Sequence, residues 1–227
     1  MPISRNLRRD FFKTWSGEMA YVLGFFAADG NMIKNQRGGH FIAFYNNDRT
    51  LLVNVRTVLG SNHKIGKRTY KISTRATGYQ LQLGSKEMFA DLIRLGLTPR
   101  KSKRMKLPAI PDELFRHFVR GYFDGDGCVY FKKHYIKARK KKRWIFSARF
   151  TAGSRMFLDS LHEQLHVHGL MKGFVISKSK NSGSDLVFSH RDSVALFHLM
   201  YDTMPDSGLY LVRKFKKFAK ALQTLYT

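Results

Sequence analysis

"FVRGYFDGDG", residues 118–127, closes on two aspartates set among glycines, and "YVLGFFAADG", residues 21–30, reads as a second copy of it. Gly24 falls on Gly121, Phe26 on Phe123, Asp29 on Asp126 and Gly30 on Gly127, and Phe25 and Tyr122 are both aromatic. The copies lie 97 residues apart, about the size of a small supersecondary unit. The downstream pieces match in order. After the first copy come "GHFIAFYNND", "RTLLVNVRTVLG", "HKIGKRTYKIST", "GYQLQLGS" and "KEMFADLIRLGLTPRKS". After the second come "WIFSARFTAGS", "RMFLDSLHEQLHVHG", "LMKGFVISKSK", "SDLVFSH" and "RDSVALFHLMYDTM". Alternating, β-branched and aromatic pieces predict strands, and apolar residues at helical spacing predict helices. Each half therefore reads helix, two strands, helix, two strands, helix. The chain is α+β, with an N-terminal half over 1–99, a linker over 100–111 and a C-terminal half over 112–227.

Both copies are predicted to be helices. Ser16 is positioned as an N-cap with Glu18 in the first turn, and Pro111-Asp112-Glu113 opens the second. Each helix is expected to stop at Asp-Gly, with Gly30 and Gly127 taking the left-handed conformation of a helix end. Gly24 and Ala28 share one helix face, as do Gly121 and Gly125, so the two backbones can approach closely. Side-by-side pairing would bring Asp29 and Asp126 out together. A carboxylate at a helix C-terminus opposes the dipole, and a second one nearby adds repulsion. A divalent cation reverses that sign. Mg²⁺ takes one or two protein carboxylates and completes its shell with phosphate and water. "DGDG" alone would read as a turn or a calcium loop, but "CVYF" after it supplies none of the later ligands of an EF-hand.

The composition points the same way. Lys plus Arg number 41 against 16 Asp plus Glu, a net charge of +25, which a nucleic-acid partner would best offset. The longest uncharged apolar run, "MAYVLGFFAA", is ten residues, too short for a bilayer, and the N-terminus has no long apolar segment of a secretory signal. The expectation is an intracellular, non-secreted protein without a membrane partner. Cys128 is the single cysteine, which excludes an intramolecular disulfide and a cysteine-cluster zinc site. His162, His166 and His168 form the one tight histidine group.

At "VLGFFAADG" (22–30) and "VRGYFDGDG" (119–127) the chain resembles the single-chain LAGLIDADG homing endonucleases, over nearly its whole length. The resemblance implies two pseudo-symmetric αββαββα halves. Paired motif helices stand at the centre, and two antiparallel sheets form a DNA-binding saddle. It implies catalytic and metal-binding roles for Asp29 and Asp126, with Gly30 and Gly127 in the metal-binding set. It implies a monomer that makes a double-strand break with 3′ overhangs in a long asymmetric DNA site; a mobile intron is one source for such a gene, beside an intein or a free-standing gene. Mg²⁺ is the implied cofactor, Mn²⁺ a substitute, and Ca²⁺ an ion that binds without efficient cleavage. The sixth motif position is Asp124 in the second copy but Ala27 in the first, a departure at a less strict position. A basic residue is expected near each metal. Lys101 in "GLTPRKSK" and Lys214 in "GLYLVRKF" fit, with Lys103, Lys106, Arg213 and Lys216 as rivals. The non-enzyme alternative is a LAGLIDADG-derived intron RNA maturase or regulator.

The strands supply candidate DNA contacts, because Arg, Lys, Asn and Gln read base edges in a major groove that admits a β-ribbon. They are Asn31, Lys34, Gln36 and Arg37; Lys67, Arg68, Lys71 and Arg75; Lys132, Lys133, Lys137 and Arg139; and Lys178 and Lys180. Alternation along each strand is expected to set them on one sheet face.

Overall fold

The computed structural model describes residues 5–68, 78–178, 182–203 and 207–226, with the backbone alone of Arg139. Helix α1 (Gly17–Asp29) runs directly into β1 (Gly30–Lys34). Then follow β2 (His40–Asn46), α2 (Arg49–Val58), β3 (Ile65–Arg68), β4 (Gly78–Gly84) and α3 (Lys86–Arg94). The order repeats with α4 (Phe115–Asp126), β5 (Gly127–Ile136), β6 (Lys141–Ala152), α5 (Arg155–Val167), β7 (Phe174–Ser177), β8 (Ser184–Ser189) and α6 (His190–Tyr201). A further helix, α7 (Val212–Tyr226), closes the chain; Phe215, Phe218 and Leu222 carry its helical spacing. The described strands form two four-stranded antiparallel sheets of the same topology, β1-β2-β4-β3 and β5-β6-β8-β7.

The chain divides into two compact units. One contains Met1–Lys101, Pro108–Gly125 and Met204–Tyr210; the other contains Ser102–Leu107, Asp126–Thr203 and Leu211–Thr227. In the first, Ile42, Phe44, Leu81 and Leu83 project from one sheet face onto Leu52 and Val55 of α2 and Met88 and Leu92 of α3, all buried. In the second, Phe146, Ala148, Phe150 and Phe188 are buried beneath α5, α6 and α7, and the Phe146 and Phe218 rings meet edge to face at 6.0 Å. Side-chain oxygens of Asp48, Ser85 and Ser154 each cap the helix that follows a strand, at α2, α3 and α5.

Both motif helices lie in the first unit, α4 as far as Gly125, and they pack against each other there. The contact leaves no room for side chains at its glycines. A Cβ on Gly24 would lie 2.1 Å from the Phe118 carbonyl oxygen, and one on Gly121 would lie 2.0 Å from the Tyr21 carbonyl oxygen. One on Gly125 would lie 2.4 Å from the Ala28 Cβ. Helix α1 is buried continuously from Met19 to Ala27, which explains why it is apolar on every side. Ser16 caps it as expected, its hydroxyl accepting from the Met19 amide at 3.1 Å. At the second helix Asp112–Leu114 forms a single tight turn before α4 begins at Phe115.

The helix ends differ from the expectation. Gly30 sits at φ −90°, ψ 153°, extended rather than left-handed, and Gly127 is not among the glycines with positive φ. Each helix passes straight into a strand, so no reversing cap is needed. Glycine is required at 30 for space instead: a Cβ there would come within 2.4 Å of the Phe26 ring and of its carbonyl oxygen.

Candidate metal and nucleic-acid site

Asp29 is the last residue of α1 and is half-buried. Its Oδ2 accepts a hydrogen bond from Asn46 Nδ2 at 3.2 Å. The Asn46 amide is itself oriented, because its Oδ1 accepts the Asp48 amide hydrogen at 2.9 Å and so turns the NH₂ toward Asp29. Asp48 in turn caps α2 through the Leu51 amide at 3.1 Å. The start of α2 thus fixes the Asp29 carboxylate through two side chains. Asn46 escaped the sequence reading; the polar run "YNND" at a strand end was its signal. Gly125, the residue before Asp126, faces Asp29, whose Oδ2 would lie 3.4 Å from a Cβ built there. Asp126 ends α4 and is half-buried like its counterpart.

Burial separates the two candidate lysines from their rivals. Lys101 is 8% exposed and Lys214 is 5% exposed, whereas Lys103, Lys106, Arg213 and Lys216 are exposed. An ammonium leaves water only where polar partners receive it. Lys101 Nζ donates to the Gly30 carbonyl oxygen at 2.6 Å and stands 5.6 Å from the Phe26 ring centroid. That carbonyl follows Asp29 directly, so a carboxylate and an ammonium converge on the end of α1. Lys214 lies in the first turn of α7, whose residues pack on β5, the strand that follows Asp126.

Asp124 and Asp126 part company. Two residues of helix turn side chains by about 200°. Asp124 is fully buried inside the helix pair, and Tyr21 donates its hydroxyl to Asp124 Oδ2 at 2.8 Å. Arg120 is also fully buried. Its guanidinium lies 5.4 Å from the Tyr21 ring centroid, donates from Nε to the Leu209 carbonyl oxygen at 3.1 Å, and meets His117 Nδ1 at 3.0 Å. Since arginine only donates, His117 Nδ1 must be unprotonated. Burial, then the Arg120 and Arg116 charges, lower the His117 pKa to about 4.

Residues 16–95 match the LAGLIDADG-like domain family. This segment belongs to the LAGLIDADG family. Solved structures extend the likeness to the whole chain. The I-SmaMI LAGLIDADG homing endonuclease bound to cleaved DNA is 15% identical, with 92% of this chain and 88% of that one covered, at a TM-score of 0.63. The homing endonuclease I-WcaI bound to its DNA recognition sequence is 13% identical over 92% and 91% of the two chains, at 0.62. I-SmaMI bound to uncleaved DNA in the presence of calcium ions is 13% identical over 93% and 92%, at 0.59. At these identities the likeness establishes the LAGLIDADG fold. Among curated protein sequences none matches the chain.

Each LAGLIDADG sheet has one face covered by its own helices and one open face. Strand register assigns the side chains. In the first sheet Asn31, Tyr45, Arg68, Gln80 and Gln82 share the open face, with Arg68 over the Tyr45 ring at 4.8 Å and Gln80 Nε2 donating to Gln82 Oε1 at 2.8 Å. Lys34 lies on the other face, 5.6 Å from the Phe89 ring centroid, and Lys67 pairs there with Tyr79. In the second sheet Lys132 shares the open face with Tyr130, Arg149 and Asp185, while Lys133 turns to the Trp144 ring at 5.7 Å. The one-face expectation therefore fails for Lys67 with Arg68 and for Lys132 with Lys133, because consecutive strand residues face opposite ways. Gln36 and Arg37 are exposed in the β1–β2 turn, and Lys137 is exposed in the β5–β6 connection. Lys178 bonds Asp185 Oδ1 at 2.9 Å, and Arg149 lies 3.7 Å from Asp185 Oδ2. Lys71, Arg75, Lys180 and the Arg139 side chain lie outside the described residues. Tyr45, Gln80, Gln82 and Arg149 were missed; the alternation in "GYQLQLGS" would have found the two glutamines. Among the described residues no helix is long and apolar enough to cross a membrane.

Proposed function

We propose that this chain is a site-specific DNA endonuclease that hydrolyses both strands of a long, asymmetric duplex with divalent metal held at Asp29 and Asp126, leaving 3′ overhangs. The observation that carries the reading is the end of α1. There the Asn46-oriented carboxylate of Asp29 and the buried ammonium of Lys101 meet at one backbone turn.

The donors suit a hard cation. A carboxylate at the negative end of a helix dipole is a favourable place for positive charge. Among the described residues no cluster of three or more His, Cys, Asp or Glu could hold a metal. A cation here would therefore complete its shell with phosphate oxygens and water, the usual habit of Mg²⁺. When bound, it would activate water and stabilise the departing oxygen. The chain's own residues do the rest. Asn46 fixes the carboxylate plane. Lys101, anchored on the Gly30 carbonyl, holds fixed positive charge where a phosphate accumulates negative charge. Asp126 and Lys214 fill the same roles in the second copy, so that each copy serves one strand.

The net charge of +25 draws the polyanion in, and the open sheet faces read it. Asn31, Tyr45, Arg68, Gln80 and Gln82 are base-reading candidates in the first half, and Lys132 and Arg149 in the second. Lys34, Lys67 and Lys133, on the covered faces, fit phosphate contacts better. The halves differ here, which calls for different half-sites and a single chain acting alone. I-SmaMI bound to uncleaved DNA with calcium suggests the same behaviour for this chain: Ca²⁺ supports binding, and Mg²⁺ or Mn²⁺ supports cutting. Incubation with a randomised duplex library and Mg²⁺, followed by sequencing of cut ends, tests the proposal. A single non-palindromic consensus with 3′ overhangs is expected; palindromic sites, or no cutting with any of these metals, would overturn it.

A further inference from the structure

The second motif helix carries a charge that the first does not. Arg120 occupies the position of Leu23, and both side chains are fully buried. Its Nε hydrogen goes to the carbonyl of Leu209, in the short segment that leads into α7. A second side chain holds that segment: Asn54 Nδ2 donates to the Gly208 carbonyl oxygen at 2.9 Å. Gly208 sits at φ +64°, a conformation open to glycine, so both carbonyls are presented by a tight bend. Five residues after Leu209 comes Lys214, whose amide closes the first turn of α7 onto the Leu211 carbonyl at 2.9 Å. In the first copy Lys101 bonds the Gly30 carbonyl oxygen, and the position of Arg120 is held by Leu23.

We propose that Arg120 is a positioning residue for Lys214. It ties the entry of α7 to α4, the helix that ends in Asp126, and so registers the lysine and the aspartate of the second site to each other. The inference rests on the nuclease reading above and goes beyond it, because it predicts an asymmetry between strands. Loss of the tie should impair the second site and spare the first.

The test uses the full chain and a target duplex labelled on both strands, under single turnover with saturating protein and Mg²⁺. Arg120→Leu gives the second helix the side chain of the first. One strand should be cut about 100-fold more slowly, as expected for a catalytic group displaced by about 1 Å, while the other keeps its rate. Nicked duplex should accumulate, and DNA affinity in Ca²⁺ should hold. Arg120→Lys, which keeps a donor, should restore part of the lost rate. Without metal or DNA, hydrogen exchange of the amides between residues 208 and 214 should quicken in Arg120→Leu. Because Arg120 is buried, Asn54→Ala provides a second route. It removes the other anchor and should bias the same strand by about tenfold. Equal slowing of both strands, or no strand bias in either variant, would overturn the role of Arg120. An unsubstituted protein that cuts neither strand would remove the nuclease reading itself, and this inference with it.

Discussion

The two motif helices share a backbone contact and differ in what fills it. At the contact Gly24 and Gly121 exchange places: each meets a carbonyl of the other helix, Phe118 for one and Tyr21 for the other. Around that shared geometry the first copy is apolar, with Leu23 and Ala27. The second buries Arg120 and Asp124. Tyr21 and Phe118 are counterparts, yet Tyr21 alone has a hydroxyl, and Asp124 receives it. The positions identical in both copies include Gly24 and Gly121, Phe26 and Phe123, and the terminal Asp-Gly pairs. Helix approach and carboxylate placement are thus what the repeat preserves, and the interior chemistry varies with the partner helix.

The largest effect should come from the shared positions. Asp29→Asn and Asp126→Asn should each lower double-strand cutting by more than about 1,000-fold while leaving DNA affinity nearly unchanged, since the carboxylates act on metal rather than on bases. Single-turnover cleavage beside a binding titration in Ca²⁺ checks this, and full activity of either variant would break the equivalence of the copies. Gly24→Ala and Gly121→Ala should each cost about 3 kcal/mol or more in denaturant unfolding, because the new methyl meets backbone that cannot rotate away. Equal losses in the two would confirm the symmetry of the contact.

Swapping the interiors should sharpen the contrast. Ala27→Asp should cost about 3 kcal/mol, since its counterpart surroundings hold Phe118 instead of a tyrosine. Asp124→Ala should cost less, about 2 kcal/mol, by leaving the Tyr21 hydroxyl without Asp124. The reverse ranking would sink the explanation of why the sixth motif position differs.

A smaller effect is tied to pH. The folded pKa of His117 lies at about 4, below its ordinary 6.5. Between those values the unfolded chain binds the proton and the folded chain does not. The contribution is therefore whole above pH 6.5 and is lost as pH falls toward 4. His117→Gln should flatten that part of a stability-versus-pH curve. Arg120→Leu should raise the His117 pKa in NMR titration, because it removes one of the two positive neighbours that hold it down.

The repeat made much of this legible in advance. Matching glycines and aspartates, followed by matching periodicities, gave the order of elements and the helix pairing. Three things were hidden. Gly30 was required by the Phe26 ring rather than by a left-handed turn, a matter of packing that no turn rule encodes. Asp124 and Asp126 looked like a pair in "DGDG", but helical rotation sends one inside and leaves the other at the end. Asn46 entered the site only through its bond to Asp48, a tertiary consequence of where β2 meets α2. The lysines fall between these cases: several candidates lay in each basic run, and burial distinguished Lys101 and Lys214.

The most direct test of the central claim is Mn²⁺ binding to the protein–DNA complex, followed by electron paramagnetic resonance in the unsubstituted protein and in Asp29→Asn and Asp126→Asn. The account predicts that each substitution weakens Mn²⁺ binding while the complex with DNA stays intact. Mn²⁺ binding unchanged in both variants would contradict it.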